Sequence, residues 1–257
     1  MKTLHDYLNS LPDSVIVLIK SYVFFIPKNK KKLHIAVNLW CDDMKSAYKL
    51  YGHISLWNTK YITDMSDLFY EKKYFNSVIS SWDVSNVTDM EWMFSGAESF
   101  NQQLNNWDVS NVTIMNFMFC GATSFNQPLN NWNVINVILM DSMFRDAELF
   151  NQNISNWNVS NVGDMISMFH CSKSFNQPLN NWNVRNVKDM SFMFSLAQSF
   201  NQPLNDWDVS NVRTMTKMFE DAHAFNQNIN NWNVSYVYNM NDMFSLAKSP
   251  IWYKFNV

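Results

Sequence analysis

Eight tryptophans, Trp57, Trp82, Trp107, Trp132, Trp157, Trp182, Trp207 and Trp232, fall 25 residues apart without one insertion, and nothing else in the chain limits its fold so strongly. Methionine keeps the same period from Met65 to Met240, and phenylalanine keeps it from Phe75 to Phe225. A repeat of this length is one supersecondary unit that cannot bury its apolar side alone, so neighbouring copies must share a core. The expected product is an elongated stack of near-identical rungs with no enclosed pocket, whose function lies on its surface. The frame divides the chain into a helical N-terminal unit at 1–54, about eight repeats at 55–249, and a C-terminal cap or tail at 250–257.

The copy around Trp107 predicts the content of a rung. Trp107 and Val109 alternate with Asp108 and Ser110, the period of a short strand with one buried face. Met115, Met118, Phe119 and Ala122 then follow at i, i+3, i+4 and i+7, which predicts a helix of about two turns with Thr113 as N-cap and Gly121 as its stop. The fold class expected is therefore α/β, with one short parallel strand and one short helix per rung. Helices are wider than strands, so the array should curve with its strands on the concave side. The tryptophan column should be the main stabiliser, since a buried indole covers about 150–250 Å².

Asparagine recurs almost as strictly, after the strand (Asn86 to Asn211) and after each repeat phenylalanine (Asn76 to Asn226). Identity at every rung suits a backbone role, in which amides satisfy turns and stack into ladders, better than a row of ligand contacts. Positions that change chemistry along the array carry more functional information. Asp83, Asp108, Asn133, Asn158, Asn183, Asp208 and Asn233 lie between the buried strand residues and should face the concave surface. Ser85, Ser110, Ile135, Ser160, Arg185, Ser210 and Ser235 lie beside them, and a further series runs Thr88, Thr113, Ile138, Gly163, Lys188, Arg213, Tyr238. A variable strip on a rigid frame suits recognition of a protein. Drift at solvent positions would produce the same pattern.

A formal charge of −3 gives no basic face for nucleic acid. The basic run Lys28 to Lys32 is short and reads as a solvated turn. Three cysteines, Cys41, Cys120 and Cys171, cannot pair completely and show no metal-binding spacing, so no metal site is expected and a reducing compartment fits. The five histidines share no place in the repeat frame, and no phosphate loop or nucleophile motif is present. The expectation is a non-enzymatic protein without cofactors. The N-terminus lacks a continuous apolar core, and the apolar stretch from Val15 to Ile26 is too short for a membrane span, so an intracellular protein is expected.

The string Trp-Asp-Val-Ser-Asn-Val-Thr-Asp-Met at Trp82 to Met90, continuing through Met93-Phe94 and Ala97 to Phe100-Asn101-Gln102, resembles the BspA-type leucine-rich repeat of bacterial surface proteins and large DNA viruses. The resemblance implies a leucine-rich-repeat-like solenoid with a binding or adhesion role, and a host-cytoplasmic location if the source is viral. Bacterial members are usually exported, whereas no signal peptide is evident here. In the N-terminal unit, Leu11, Pro12, Val15, Ile19 and Tyr22 resemble the opening helix of an F-box. That resemblance implies docking to the Skp adaptor of a cullin ubiquitin ligase, with the solenoid choosing the target. A plain helical cap over the first rung is the other reading, and a viral-particle component or adhesin is the alternative function. Pro250 replaces the repeat phenylalanine, so the tail is expected to cap the last rung or to mark a shortened array.

Overall fold

The computed structural model describes residues 25–247. The expectations for Leu11, Pro12, Val15, Ile19 and Tyr22, and for the tail from Pro250, lie outside the described residues. Two helices open the described part. Helix α1 (Lys30–Asp42) is capped by Asn29, whose side chain accepts from the Lys32 N–H, and α2 (Met44–Tyr51) by Asp43, which accepts from the Ser46 N–H. The two helices meet at Asp43. Leu33, Ala36, Val37 and Trp40 form the buried stripe of α1, and Ala47 that of α2, while Met44 and Tyr48 are exposed. The helical unit lies on the first tryptophan of the array: Trp40, Tyr51 and Phe25 meet Trp57 edge-on at 6.0, 6.0 and 5.2 Å.

Beyond Trp57 the expected helix and strand of each rung give way to something else. Where a helix from Met115 was predicted, the backbone makes consecutive tight turns. The N–H groups of Met118, Cys120 and Ala122 donate to the carbonyls of Met115, Phe117 and Phe119 at 3.0–3.3 Å. The alternate N–H groups, of Met115, Phe117, Phe119 and Gly121, leave the copy and donate to Leu139, Asp141, Met143 and Arg145 of the next one at 2.8–2.9 Å. A helix would need those donors for its own i−4 carbonyls, so the ladder between copies and the helix are mutually exclusive. Thr113 does not cap a helix; its N–H and hydroxyl both donate to the Thr88 carbonyl. Gly121 does not stop one either; it sits at φ 69° inside the turn series.

The expected strand at Trp107 to Val109 is also displaced. Pairing between copies occurs farther along, as seven successive parallel bridges of one residue each: Asp64↔Asp89, Asp89↔Ile114, Ile114↔Leu139, Leu139↔Asp164, Asp164↔Asp189, Asp189↔Thr214 and Thr214↔Asn239. Two residues in every copy, those equivalent to Phe117 and Gly121, have φ between 54° and 71°. Only two of the sixteen such positions are glycine, Gly96 and Gly121. The others hold residues as large as Trp92, Phe117, Phe192 and Leu196. A left-handed backbone costs an L-residue about 1–2 kcal/mol, and it persists here because hydrogen bonds to both neighbouring copies fix it.

The buried side chains are those the periodicity selects. Trp107, Val109, Val112, Met115, Met118, Phe119, Ala122, Phe125 and Leu104 are all 3% exposed or less. Copies are joined through columns of parallel rings. Phe94, Phe119, Phe144, Phe169, Phe194 and Phe219 stack at 5.4–5.7 Å, and Phe100 to Phe225 at 5.9–6.0 Å. The two columns touch within each copy at 4.0–4.2 Å. From Trp82 to Trp232 each repeat indole N–H donates backward to a carbonyl 28 residues earlier, as Trp132 does to Leu104 at 2.9 Å and Trp157 to Leu129 at 3.0 Å. Tryptophan therefore satisfies a buried carbonyl as well as filling the core, and the phenylalanine pair packs beside it in successive copies.

The asparagines hold the backbone in rows. Each side-chain oxygen from Asn76 to Asn201 accepts from the N–H of the asparagine 25 residues on, at 2.9–3.0 Å, and from the side-chain amide of the following glutamine. A second row runs from the side-chain amides of Asn86, Asn111, Asn136, Asn161, Asn186 and Asn211 to carbonyls of the preceding copy, at 2.6–2.9 Å.

Candidate protein-binding surface

Two outward faces carry the residues that vary between copies. The first is the strip named from the sequence, and it lies on turns rather than on a strand. Asp83, Asp108, Asn133, Asn158, Asn183, Asp208 and Asn233 are all exposed. Their side-chain oxygens accept from the N–H two residues on, that of Ser85, Ser110, Ile135, Ser160, Arg185, Ser210 and Ser235, at 3.1–3.3 Å. This local bond is what an Asp or Asn offers a turn, and it explains why the series alternates only between those two residues. In Asp108 and Asp208 the hydroxyl and N–H of the following serine hold the carboxyl below its usual range. The freely varying member of each pair is the second residue, where Ile135 and Arg185 are exposed among serines. Arg185 reaches Asp208 of the next copy at 3.8 Å, and Arg213 lies over the Tyr236 ring at 5.0 Å.

The second face, the outside of the ladder, was not singled out from the sequence because those residues were assigned to a helix. Side chains at equivalent positions form columns here, since the bridges set successive copies in register. One column reads Asp64, Asp89, Ile114, Leu139, Asp164, Asp189. Two residues on, Asn116 and Asp141 each accept from the N–H of the next member, at 2.9 and 3.1 Å. Burial pushes the Asp141 carboxyl up to about 6, against the hydrogen bond from Ile166 and with the help of the like charges of Asp164 and Asp189. A third column carries Trp92 and Phe117, whose half-buried rings stack at 4.0 Å. Variation read column by column within the 25-residue frame is the signal that would have found these positions.

The remaining reactive groups do not gather. Burial raises the thiols of Cys41 and Cys171 to about 11, and that of Cys120 in the same direction, so all three stay protonated at neutral pH. Cys41 lines a cleft of about 330 Å³ between α1, α2 and the segment Glu71 to Ser77 of the first copy, without a histidine in its lining. His170 is held below its usual range by burial and by Arg145. Among the described residues, no group of three or more His, Cys, Asp or Glu is placed to hold a metal ion, and no helix is long and apolar enough to cross a membrane.

The family described as "Mycoplasma protein of unknown function, DUF285" matches residues 41–157 and again residues 140–251. The two overlapping matches cover most of the chain, including the repeats, but only the last part of the N-terminal unit. Among curated proteins and among solved structures no match was found.

Proposed function

The chain belongs to the DUF285 family, and from that premise we propose that it is a non-enzymatic, protein-binding frame of the leucine-rich-repeat-like solenoid kind. One observation carries this reading. The strictly recurring residues face the core or a neighbouring copy's backbone, as the ring columns and the amide rows do, and among the described residues every charged residue that differs between copies lies outside the buried core. Repeat arrays use such surfaces to recognise other macromolecules along their length. The acidic balance of the repeats favours a protein over a nucleic acid as the bound molecule.

The finer reading makes the chain a substrate-recruiting adaptor, with Leu11, Pro12, Val15, Ile19 and Tyr22 docking to a Skp adaptor and the array binding the target. Its support is the sequence resemblance of those residues to an F-box. Affinity capture from cell extract tests it: Skp and cullin subunits should be recovered, and lost on Leu11→Asp with Ile19→Asp. Recovery of the protein in assembled particles or on a surface, with no such subunits, would replace the adaptor by a rigid structural spacer. A captured partner that survives the N-terminal changes but not Ile135→Asp with Arg185→Glu would keep the binding role and remove the adaptor.

A further inference from the structure

Along the ladder's outer face, chemistry changes over a short distance in a way the frame does not require. Ile114 and Leu139 are bridged to each other, with Asp89 next on one side and Asp164 on the other. Beside them the rings of Trp92 and Phe117 lie parallel at 4.0 Å with 8° between planes. Each ring grows from a left-handed residue, at φ 58° and 56°. The same position holds Ser142 and Ser167 in the following copies, so the backbone asks for no aromatic there. The left-handed backbone recurs in every copy, so it does not account for the two rings either.

Among the described residues no ion pair reaches Asp89, Asp141, Asp164 or Asp189. The chain itself shows which chemistry answers such carboxylates. Asp64 opens the same column, and Lys30 of α1 sets its ammonium 3.1 Å from Asp64 and 3.2 Å from Asp67. Farther along, Lys217 lies over the ring of Phe192, the equivalent of Phe117, at 6.0 Å. Cations thus already occupy both kinds of group where the chain can supply them.

We propose that the face formed by Trp92, Phe117, Ile114 and Leu139, flanked by Asp89 and Asp164, docks an extended lysine- or arginine-bearing segment of a partner protein. The apolar centre takes an aliphatic side chain, and the rings and carboxylates take the cations. Asp89 and Asp164 are three bridge steps apart, about 14 Å at the spacing of paired strands, so about four residues of extended chain separate the two cations. This rests on the reading of the chain as a protein-binding frame and moves the contact from the turn face to the ladder face.

The test uses the full chain and a fluorescein-labelled peptide, Arg-Ser-Leu-Ser-Arg, followed by fluorescence anisotropy at low and physiological salt. Saturable one-to-one binding is expected, with affinity falling about tenfold in Phe117→Ser and again in Ile114→Ser with Leu139→Ser. A comparable loss is expected for Asp89→Asn with Asp164→Asn. The Oδ1 of Asp89 already accepts the N–H of Glu91, so asparagine there keeps the turn and removes only charge. Thermal unfolding of each variant checks that it is folded, and Leu149→Ser, at an exposed residue outside both faces, should bind as the parent does. Equal binding of a Glu-Ser-Leu-Ser-Glu peptide, or a loss in the aspartate variants alone, would overturn the proposal. So would sedimentation showing a dimer abolished by Leu139→Ser, since a second copy would then be the occupant. No peptide binding alongside an intact captured partner removes this face and leaves the binding role; failure of both removes both.

Discussion

A single side chain in this array serves two copies at once, which sets how costly its loss is. The Trp157 indole fills the core and donates to the buried Leu129 carbonyl. Trp157→Phe should therefore destabilise by about 2–4 kcal/mol, from the unmade hydrogen bond and the smaller ring together, whereas Tyr238→Ser, at 79% exposure, should stay within about 0.5 kcal/mol. Denaturant unfolding separates the two. Asp141 gives the opposite sign. Its carboxyl titrates near 6 in the folded chain and near 3.8 when exposed, so ionisation opposes folding, and stability falls as pH rises from about 4 to about 6. Asn116 occupies the equivalent place and accepts the same backbone bond, so Asp141→Asn is compatible with the fold. The variant should be more stable at pH 7 by something on the order of 1 kcal/mol, a figure reduced for partial exposure, and the gain should vanish below about pH 4. Unfolding midpoints across that range check it.

At the level of the element, the stripe Met115, Met118, Phe119, Ala122 was legible as buried but not as turns. A helix brings i, i+3, i+4 and i+7 to one face, and so does a run of tight turns whose left-handed residues recur every four positions, as Phe117 and Gly121 do. Glycine would have marked the turns, yet it stands at only two of those positions, and Trp92 or Leu196 in a left-handed backbone leaves no trace in sequence. The same misreading hid the ladder face, because Asp89, Ile114 and Leu139 become neighbours only once the bridges set the register. The turn strip from Asp83 to Asn233 was legible as exposed, since alternation with buried valines survives whatever the backbone does. Strain at these residues is measurable. Ser142 holds a left-handed backbone, at φ 54°, that glycine adopts without strain, so Ser142→Gly should stabilise by about 0.5–1 kcal/mol. Gly121→Ala, whose added methyl would meet only the Gly96 backbone at 3.6 Å, should destabilise by a similar amount; calorimetry of the pair tests both signs.

For the whole molecule, the 25-residue spacing of rings, bridges and amides means that copies are interchangeable units with nearest-neighbour stability. Deleting residues 151–175 rejoins Phe150 to Asn176 in frame and should leave one cooperative transition at a lower denaturation midpoint. Deleting residues 151–162 leaves a half copy and should split unfolding into two transitions. The ladder also has a direction. In copy after copy the free N–H groups of the turn series point toward the next copy, and the indole N–H points back to the one before. Chains ending after Phe150 or Phe200 should therefore keep slowly exchanging amides in all but their last copy. On a ribosome, that vectorial bonding makes the order of synthesis the order of assembly: each emerging segment finds its template already folded, seeded where Trp40 rests on Trp57.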